Sequence, residues 1–253
     1  MTGDRAALAR TFAALHVPGD PLVLFNAWDA GSALAVADAG AKAIATGSWS
    51  VAAAHGHGDG EALPIDLAIA NLARIAAAVA LPVSIDFEGG YAADPAGVAA
   101  NFARALAAGA IGCNFEDQLV GGEGLYPIAD QAARIAALRA VSADAFINAR
   151  TDLFLKTAAT AHDMDLVEAA LRRADAYAKA GASGFFAPGL RDEGLIAALC
   201  KASPLPVNII VFPGFPEREQ LAAAGVARIS HGPGPYRMAM AAVTEAARAA
   251  MGG

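Results

Sequence analysis

The stretch Leu81-Pro82-Val83-Ser84-Ile85-Asp86-Phe87-Glu88-Gly89-Gly90-Tyr91 is one unit of a pattern that runs the length of the chain. Pro82 opens an apolar run, at the position where a missing N–H does least harm to a strand. Like the other expected strands it is short, and these strands are mostly apolar on both faces, which suits strands buried in a parallel sheet. It breaks off in carboxylates and glycines. An alanine-rich helical stretch follows over 95–108, and Gly109 stands where that helix would stop. The same order recurs along the chain. Strands are expected over 22–26, 42–46, 82–87, 110–115, 145–150, 184–187, 206–211 and 227–230. Helices are expected over 30–39, 65–79, 95–108, 130–141, 163–180, 192–202, 217–224 and 236–249. Eight β-then-α units in 253 residues are the arithmetic of a (β/α)8 TIM barrel, one domain spanning 1–253. A doubly wound open sheet would need fewer strands and usually a glycine fingerprint after the first. The chain carries neither G-x-G-x-x-G nor G-x-x-x-x-G-K-[ST].

Composition narrows the function classes. The chain is 56% hydrophobic and 17% charged, which excludes global disorder. Eighteen Lys and Arg against 25 Asp and Glu leave a net charge of −7, which argues against a nucleic-acid or anionic-membrane partner. Mean hydropathy is +0.42, but alanine supplies most of it. The longest apolar runs, such as 75–83, fall short of the ~20 residues of a spanning helix. The first twenty residues carry Asp4, Arg5, Arg10, His16 and Asp20, so no signal peptide is expected. Cys113 and Cys200 are too few for a disulfide framework, and a reducing cytoplasm is the expected home.

In a barrel the chemistry sits at the C-terminal ends of the strands. There the chain turns polar: Asn26-Ala27-Trp28-Asp29, Gly47-Ser48, Asp86-Phe87-Glu88, Asn114-Phe115-Glu116-Asp117, Asn148-Ala149-Arg150-Thr151-Asp152, then Asn208 and His231. Strand alternation predicts that Asp86 and Glu88 face the same way, with Glu116 ending the neighbouring strand. Three converging carboxylates repel one another unless a cation sits between them, and a hard divalent ion with oxygen ligands fits. Arg150 is expected to anchor an anionic substrate, or simply to pair with those acids. His55-x-His57 with Asp59 lacks a third strong zinc ligand and reads as a mobile loop. Trp28 reads chiefly as packing, with a chance of lining the pocket.

These pieces, in this order from about residue 23 to 230, resemble the isocitrate lyase and phosphoenolpyruvate mutase superfamily. The resemblance implies a barrel that swaps its last helix with a neighbouring subunit, giving a homodimer or homotetramer. It implies Mg2+ (or Mn2+) and a small 2-oxoacid or di- or tricarboxylate substrate. Under it Asp86 looks like the direct metal ligand, with Glu88 and Glu116 acting through water. Gly47 and Ser48 resemble a backbone clamp on the substrate carboxylate, Arg150 its side-chain partner, and Asp59 a loop acid near the substrate. Trp28 and Asn208 complete the expected substrate-binding set, and Asp59, Arg150 and Glu116 the catalytic one. The departures from the family pattern are specific. The lyases' Cys-containing gating motif is replaced by Leu119-Val120-Gly121-Gly122-Glu123-Gly124-Leu125-Tyr126, which has no Cys, His or Lys. Gln118 stands where mutases carry a lysine, and Pro188-Gly189 where they carry a histidine. The expected activity is therefore a metal-dependent C–C lyase of the oxaloacetate-decarboxylase type or a related 2-oxoacid or 2-hydroxy-carboxylate lyase. The alternatives are a phosphonomutase-type P–C bond enzyme and a non-catalytic 2-oxoacid-binding homologue.

Overall fold

The computed structural model describes residues 2–252. Its eight strands are β1 (Leu22–Leu24), β2 (Ile44–Ala45), β3 (Val83–Asp86), β4 (Gly112–Glu116), β5 (Phe146–Arg150), β6 (Gly184–Phe186), β7 (Val207–Ile210) and β8 (Arg228–Ser230). They pair in parallel in the order β1-β8-β7-β6-β5-β4-β3-β2. The remaining seam, β1 to β2, is short of ladder pairs and is closed by other means. An isolated bridge joins Ala27 to Thr46, and the Ala27 N–H donates to Ala45 O at 2.9 Å. Asn26 straps the seam: its Nδ2 donates to Thr46 O at 2.9 Å, and its Oδ1 accepts from the N–H groups of His231 (3.0 Å) and Gly232 (2.8 Å). The result is the expected (β/α)8 barrel.

Helices α1 (Thr2–Ala14), α2 (Ala30–Asp38), α3 (Ser48–Ala54), α4 (Ile65–Ala78), α5 (Pro95–Ala107), α6 (Ile128–Val141), α7 (Met164–Lys179), α8 (Glu193–Ala202), α9 (Arg218–Ala223) and α10 (Gly234–Ala250) surround the sheet. Two of them were not expected from the sequence. Helix α3 has seven residues, too few for a helical period to show against the strand before it. Helix α1 has no continuous apolar stripe; among its described side chains Ala9 and Phe12 are buried in the core and Leu8 packs against them. It closes the base of the barrel: Phe12 meets Phe146 edge-on at 5.2 Å, and His16 stacks on Phe146 at 4.1 Å. One glycine is obligatory by close approach. A Cβ on Gly112 would lie 2.1 Å from the Phe146 carbonyl oxygen, so any side chain there would push β4 and β5 apart.

Above that apolar base the barrel interior is polar. Asn148 Nδ2 donates to Asn114 Oδ1 at 2.9 Å, and Arg228 donates to the same oxygen at 3.1 Å. Ser230 Oγ donates to Asn208 Oδ1 at 3.2 Å. The outward faces of the strands and the inner faces of the helices form the main hydrophobic core. Helix α10 behaves differently. After Tyr236 no residue of it is buried, and Met238 and Val243 are 65% and 60% exposed.

Candidate active site

The mouth of the barrel holds a cavity of about 170 Å3, bordered by residues from every strand end. That is below the roughly 300–1,000 Å3 of drug-sized pockets, which suits a small metabolite. Asp86, the last residue of β3, stands at its edge. Its Oδ2 accepts from both the N–H (2.9 Å) and the hydroxyl (2.8 Å) of Ser48 at the start of α3. Its Oδ1 is buried and has no hydrogen-bond partner among the described residues. An unpaired buried carboxylate oxygen is costly unless something else satisfies it.

Arg150, the last residue of β5, faces the same cavity and is heavily committed. Its NH1 lies 2.8 Å from Glu116 Oε2, and its Nε and NH2 donate to the two oxygens of Asp152 at 2.6 and 3.0 Å. A guanidinium has five N–H bonds, so these three contacts leave one on NH1 and one on NH2. Asp152 is in turn held by its own N–H donating to Asp117 Oδ1 at 3.0 Å, and Asp117 by Arg173 and Tyr177. Burial pushes the carboxyl of Glu116 upward, and Arg150 works against that push. Asp59, in the loop after α3, also borders the cavity. Desolvation first, and then the like charge of Asp86, raise its carboxyl above the usual range.

Strand alternation does not carry Glu88 to the cavity. Strand β3 ends at Asp86, and Glu88 has φ +50°, a left-handed turn that breaks the period of two. Its Oε2 accepts from the Glu61 N–H at 2.6 Å and its Oε1 from the Tyr91 hydroxyl at 3.1 Å. It shares a second, narrow crevice with Asp86 and Tyr91. Burial pushes its carboxyl up to about 7, further than the Asp86 and Asp59 charges do. Among the described residues no three His, Cys, Asp or Glu side chains form a ready-made metal cage. Glu116 is turned to Arg150 and Glu88 to Glu61 and Tyr91, which leaves the buried Oδ1 of Asp86 as the unsatisfied carboxylate oxygen among these three acids.

The other expected residues divide. Gly47 and Ser48 border the cavity, but the Gly47 N–H donates to Ala27 O and the Ser48 N–H to Asp86. Trp28 does not border it; its ring packs edge-on against Tyr236 at 5.3 Å. Asn208 lies beneath it, fully buried, bonded to Ser230. His55 and His57 bond backbone carbonyls through Nδ1, as a loop reading requires. Residues not assigned from sequence complete the wall: Asn26, Trp49, Asn114, Phe186, Ile210 and Phe212. Asn26 and Asn114 carried a signal, polarity at a strand end. The apolar ones carried none, because they look like core.

The phosphoenolpyruvate phosphomutase family model matches residues 12–251, so the chain belongs to that family. With it the chain belongs to the isocitrate lyase and phosphoenolpyruvate mutase superfamily, whose members are enzymes, among them mutases, lyases and hydrolases. A protein of Burkholderia cenocepacia J2315, named only provisionally as a phosphonomutase, is 51% identical; 98% of this chain and 100% of that one are covered, with a TM-score of 0.94. An uncharacterized protein of Mycobacterium tuberculosis is 37% identical over 96% of this chain and 90% of its own length. A phosphonopyruvate hydrolase complexed with oxalate and Mg2+ shares the fold at 23% identity, covering 100% of this chain and 89% of that one, with a TM-score of 0.82. No helix among the described residues is long and apolar enough to cross a membrane.

Proposed function

We propose that this chain is a Mg2+- or Mn2+-dependent lyase that breaks a C–C bond next to a small 2-oxoacid. Its substrate would be an oxaloacetate-like acid or a related 2-oxoacid or 2-hydroxy-carboxylate. The observation that carries this reading is the buried, unpartnered Oδ1 of Asp86 at the edge of a small cavity it shares with Arg150. That donor fits a hard cation, which takes one or two carboxylates and completes its shell with water and substrate. Asp86 would hold the ion directly, and Glu88 and Glu116 through water. Bound there, the metal supplies Lewis-acid polarisation of an oxoacid carbonyl.

The protein's own groups do the rest. The two uncommitted N–H bonds of Arg150 orient the substrate carboxylate, and Glu116 and Asp152 hold the guanidinium plane. Asp59, with its raised carboxyl, moves a proton at the rim. We place the enzyme in a reducing cytoplasm, on the strength of its two free cysteines. We also propose a homodimer or homotetramer built on α10. Beyond Tyr236 its larger apolar residues Met238, Met240 and Val243 are exposed, and a groove of about 520 Å3 bordered by Val23, Phe25, Val36 and Arg218 offers a second copy's helix a seat. Light scattering should find at least a dimer, and a wild-type monomer at micromolar concentration refutes the swap.

The provisional name of the Burkholderia relative favours a P–C bond reaction as the second reading. Arg150 is the single basic residue bordering the cavity, which leaves a migrating phosphoryl group without a cation of its own. The deciding experiment measures pyruvate or glyoxylate release, with and without Mg2+. The panel is oxaloacetate, 4-hydroxy-2-oxoacids, isocitrate, methylisocitrate and phosphonopyruvate. Metal-dependent cleavage of a C–C substrate is expected. Isocitrate and methylisocitrate should be slower than in an authentic lyase by about 10²–10⁴-fold, the contribution of a missing positioned acid. Turnover of phosphonopyruvate alone would establish the second reading, and binding without any turnover a non-catalytic homologue.

A further inference from the structure

The cavity has two unlike halves, and strand order separates them. The strands β1 to β5 contribute Asn26, Ser48, Asp86, Asn114 and Arg150 to its border, with Trp49 the aromatic exception after β2, and Asp59 joins them from the loop after α3. The arc from the loop after β5 to the loop after β7 contributes Leu155, Phe186, Pro188, Ile210 and Phe212. In a closed barrel numbered in sequence order these arcs oppose each other, with Ser230 the polar exception from β8. So a 2-oxoacid whose carboxylate and carbonyl meet the polar half points its remaining substituent at the apolar half.

Charge makes the same argument from the other side. Two carboxylates and one guanidinium border the cavity, and that guanidinium is already matched by Glu116 and Asp152 behind it. One divalent ion and one substrate carboxylate are tolerable in such a field. A second anionic group would meet an uncharged wall of low polarisability with no counter-charge, and burying an unpaired charge there is strongly unfavourable.

We propose that the substrate is a monoanionic 2-oxoacid carrying an uncharged, apolar substituent beyond C3, rather than a dicarboxylate or a phosphonate. The proposal rests on the oxoacid reading above and, within it, sets aside the oxaloacetate-like dicarboxylates in favour of the related 2-oxoacids. Where such an acid carries a hydroxyl on C4 with the apolar group beyond it, its C–C lyase is a retro-aldol enzyme. The C4 hydroxyl proton passes to the Asp59 carboxylate, the C3–C4 bond breaks, and C4 leaves as an apolar aldehyde. The bond's electron pair stays on C3, which takes a proton from water to give pyruvate, and the proton held by Asp59 neutralises the hydroxide left behind.

The test is a binding series in Mg2+, by calorimetry. The probes are pyruvate, 2-oxobutyrate, 4-methyl-2-oxopentanoate, oxaloacetate and phosphonopyruvate, with oxalate as the control for the oxoacid site. Affinity should rise along the first three by about fourfold per buried methylene or methyl. Oxaloacetate and phosphonopyruvate should bind no tighter than pyruvate. Leu155→Arg, at an exposed rim position, and Phe212→Arg should each raise the affinity for the two dianions relative to 4-methyl-2-oxopentanoate. A flat series, or a dianion binding tenfold tighter than pyruvate in the wild type, overturns the proposal and leaves the oxoacid reading standing. Failure of oxalate itself to bind overturns both.

Discussion

The base and the mouth of this barrel both bury charge, and they handle it in opposite ways. At the base, His16 lies between Phe12 and Phe146, and burial, then the charge of Arg228, push its pKa down to about 3. Arg228 is fully buried, and its hydrogen-bond partners are the neutral Asn114 and Ser230. Burial lowers it to about 9. The base thus keeps one group neutral and sets the other among uncharged side chains. At the mouth, carboxylates crowd together with their pKa values raised, and one oxygen, Asp86 Oδ1, is left without a partner. Arg228 NH1 and His16 Nε2 are unpartnered too, but they are sealed in the base. Asp86 Oδ1 differs in bordering a cavity that a ligand can enter.

The strongest way to break that contrast is Asp86→Asn. Calorimetric Mg2+ binding and turnover should both vanish while the thermal midpoint holds or rises, since like-charge repulsion is relieved. Unchanged metal affinity would remove Asp86 from the site. The converse test at the base is Phe12→Ala. Urea unfolding should show a loss of about 3–5 kcal/mol, with kcat/KM of the remaining folded enzyme unaltered. A loss under 1 kcal/mol would mean that α1 does not seal the barrel. Arg150→Lys should cost about 1.5–3 kcal/mol of transition-state stabilisation, or roughly 10- to 100-fold in kcat/KM, because one ammonium cannot span Glu116, Asp152 and a substrate at once. Full activity in that variant would make Arg150 structural only.

The smallest effect sharpens the base. His16 is held neutral in the folded chain, with its pKa lowered from 6.5 to about 3. Between those values the unfolded chain binds a proton that the folded chain refuses. Stability therefore rises with pH across this window and is lost as the pH falls from about 6.5 towards 3. The slope is about 1.4 kcal/mol per pH unit at most. His16→Leu should flatten the measured dependence between pH 6 and 4 by that slope. An unchanged profile would show that His16 is protonated in place.

The repeating unit was legible because its signals are local. Gly40, Gly109, Gly181 and Gly225 all have positive φ where the helices before them stop, as the expected helix ends required. Two helices escaped notice: α3 for its shortness and α1 for its lack of an apolar stripe. At the site, Asp86, Arg150, Asp59 and Glu116 were legible as strand-end or loop polar residues. Glu88 shares a crevice with Asp86 but does not reach the main cavity, because the rule of alternation holds only while the strand lasts. Trp28 and Trp49 look equivalent in sequence. The fold sets both edge-on against Tyr236, and only Trp49 also borders the cavity.

The sequence by itself determined the barrel, the family resemblance and the identity of the acids and arginine at the mouth. Each of these depends on residue type at a local spacing, and hydrophobic period, glycine stops and strand-end polarity are all written within a few positions. Only the tertiary structure decided which groups are already matched and which are free. Arg150 is engaged by Glu116, which lies 34 residues earlier along the chain, and the open oxygen of Asp86 exists because Ser48, 38 residues before it, satisfies the other. Which wall of the cavity is apolar depends in the same way on closing β1 against β2, which sets β6 and β7 opposite β2 and β3. Pairing and opposition are properties of distance in space, and no local pattern encodes them.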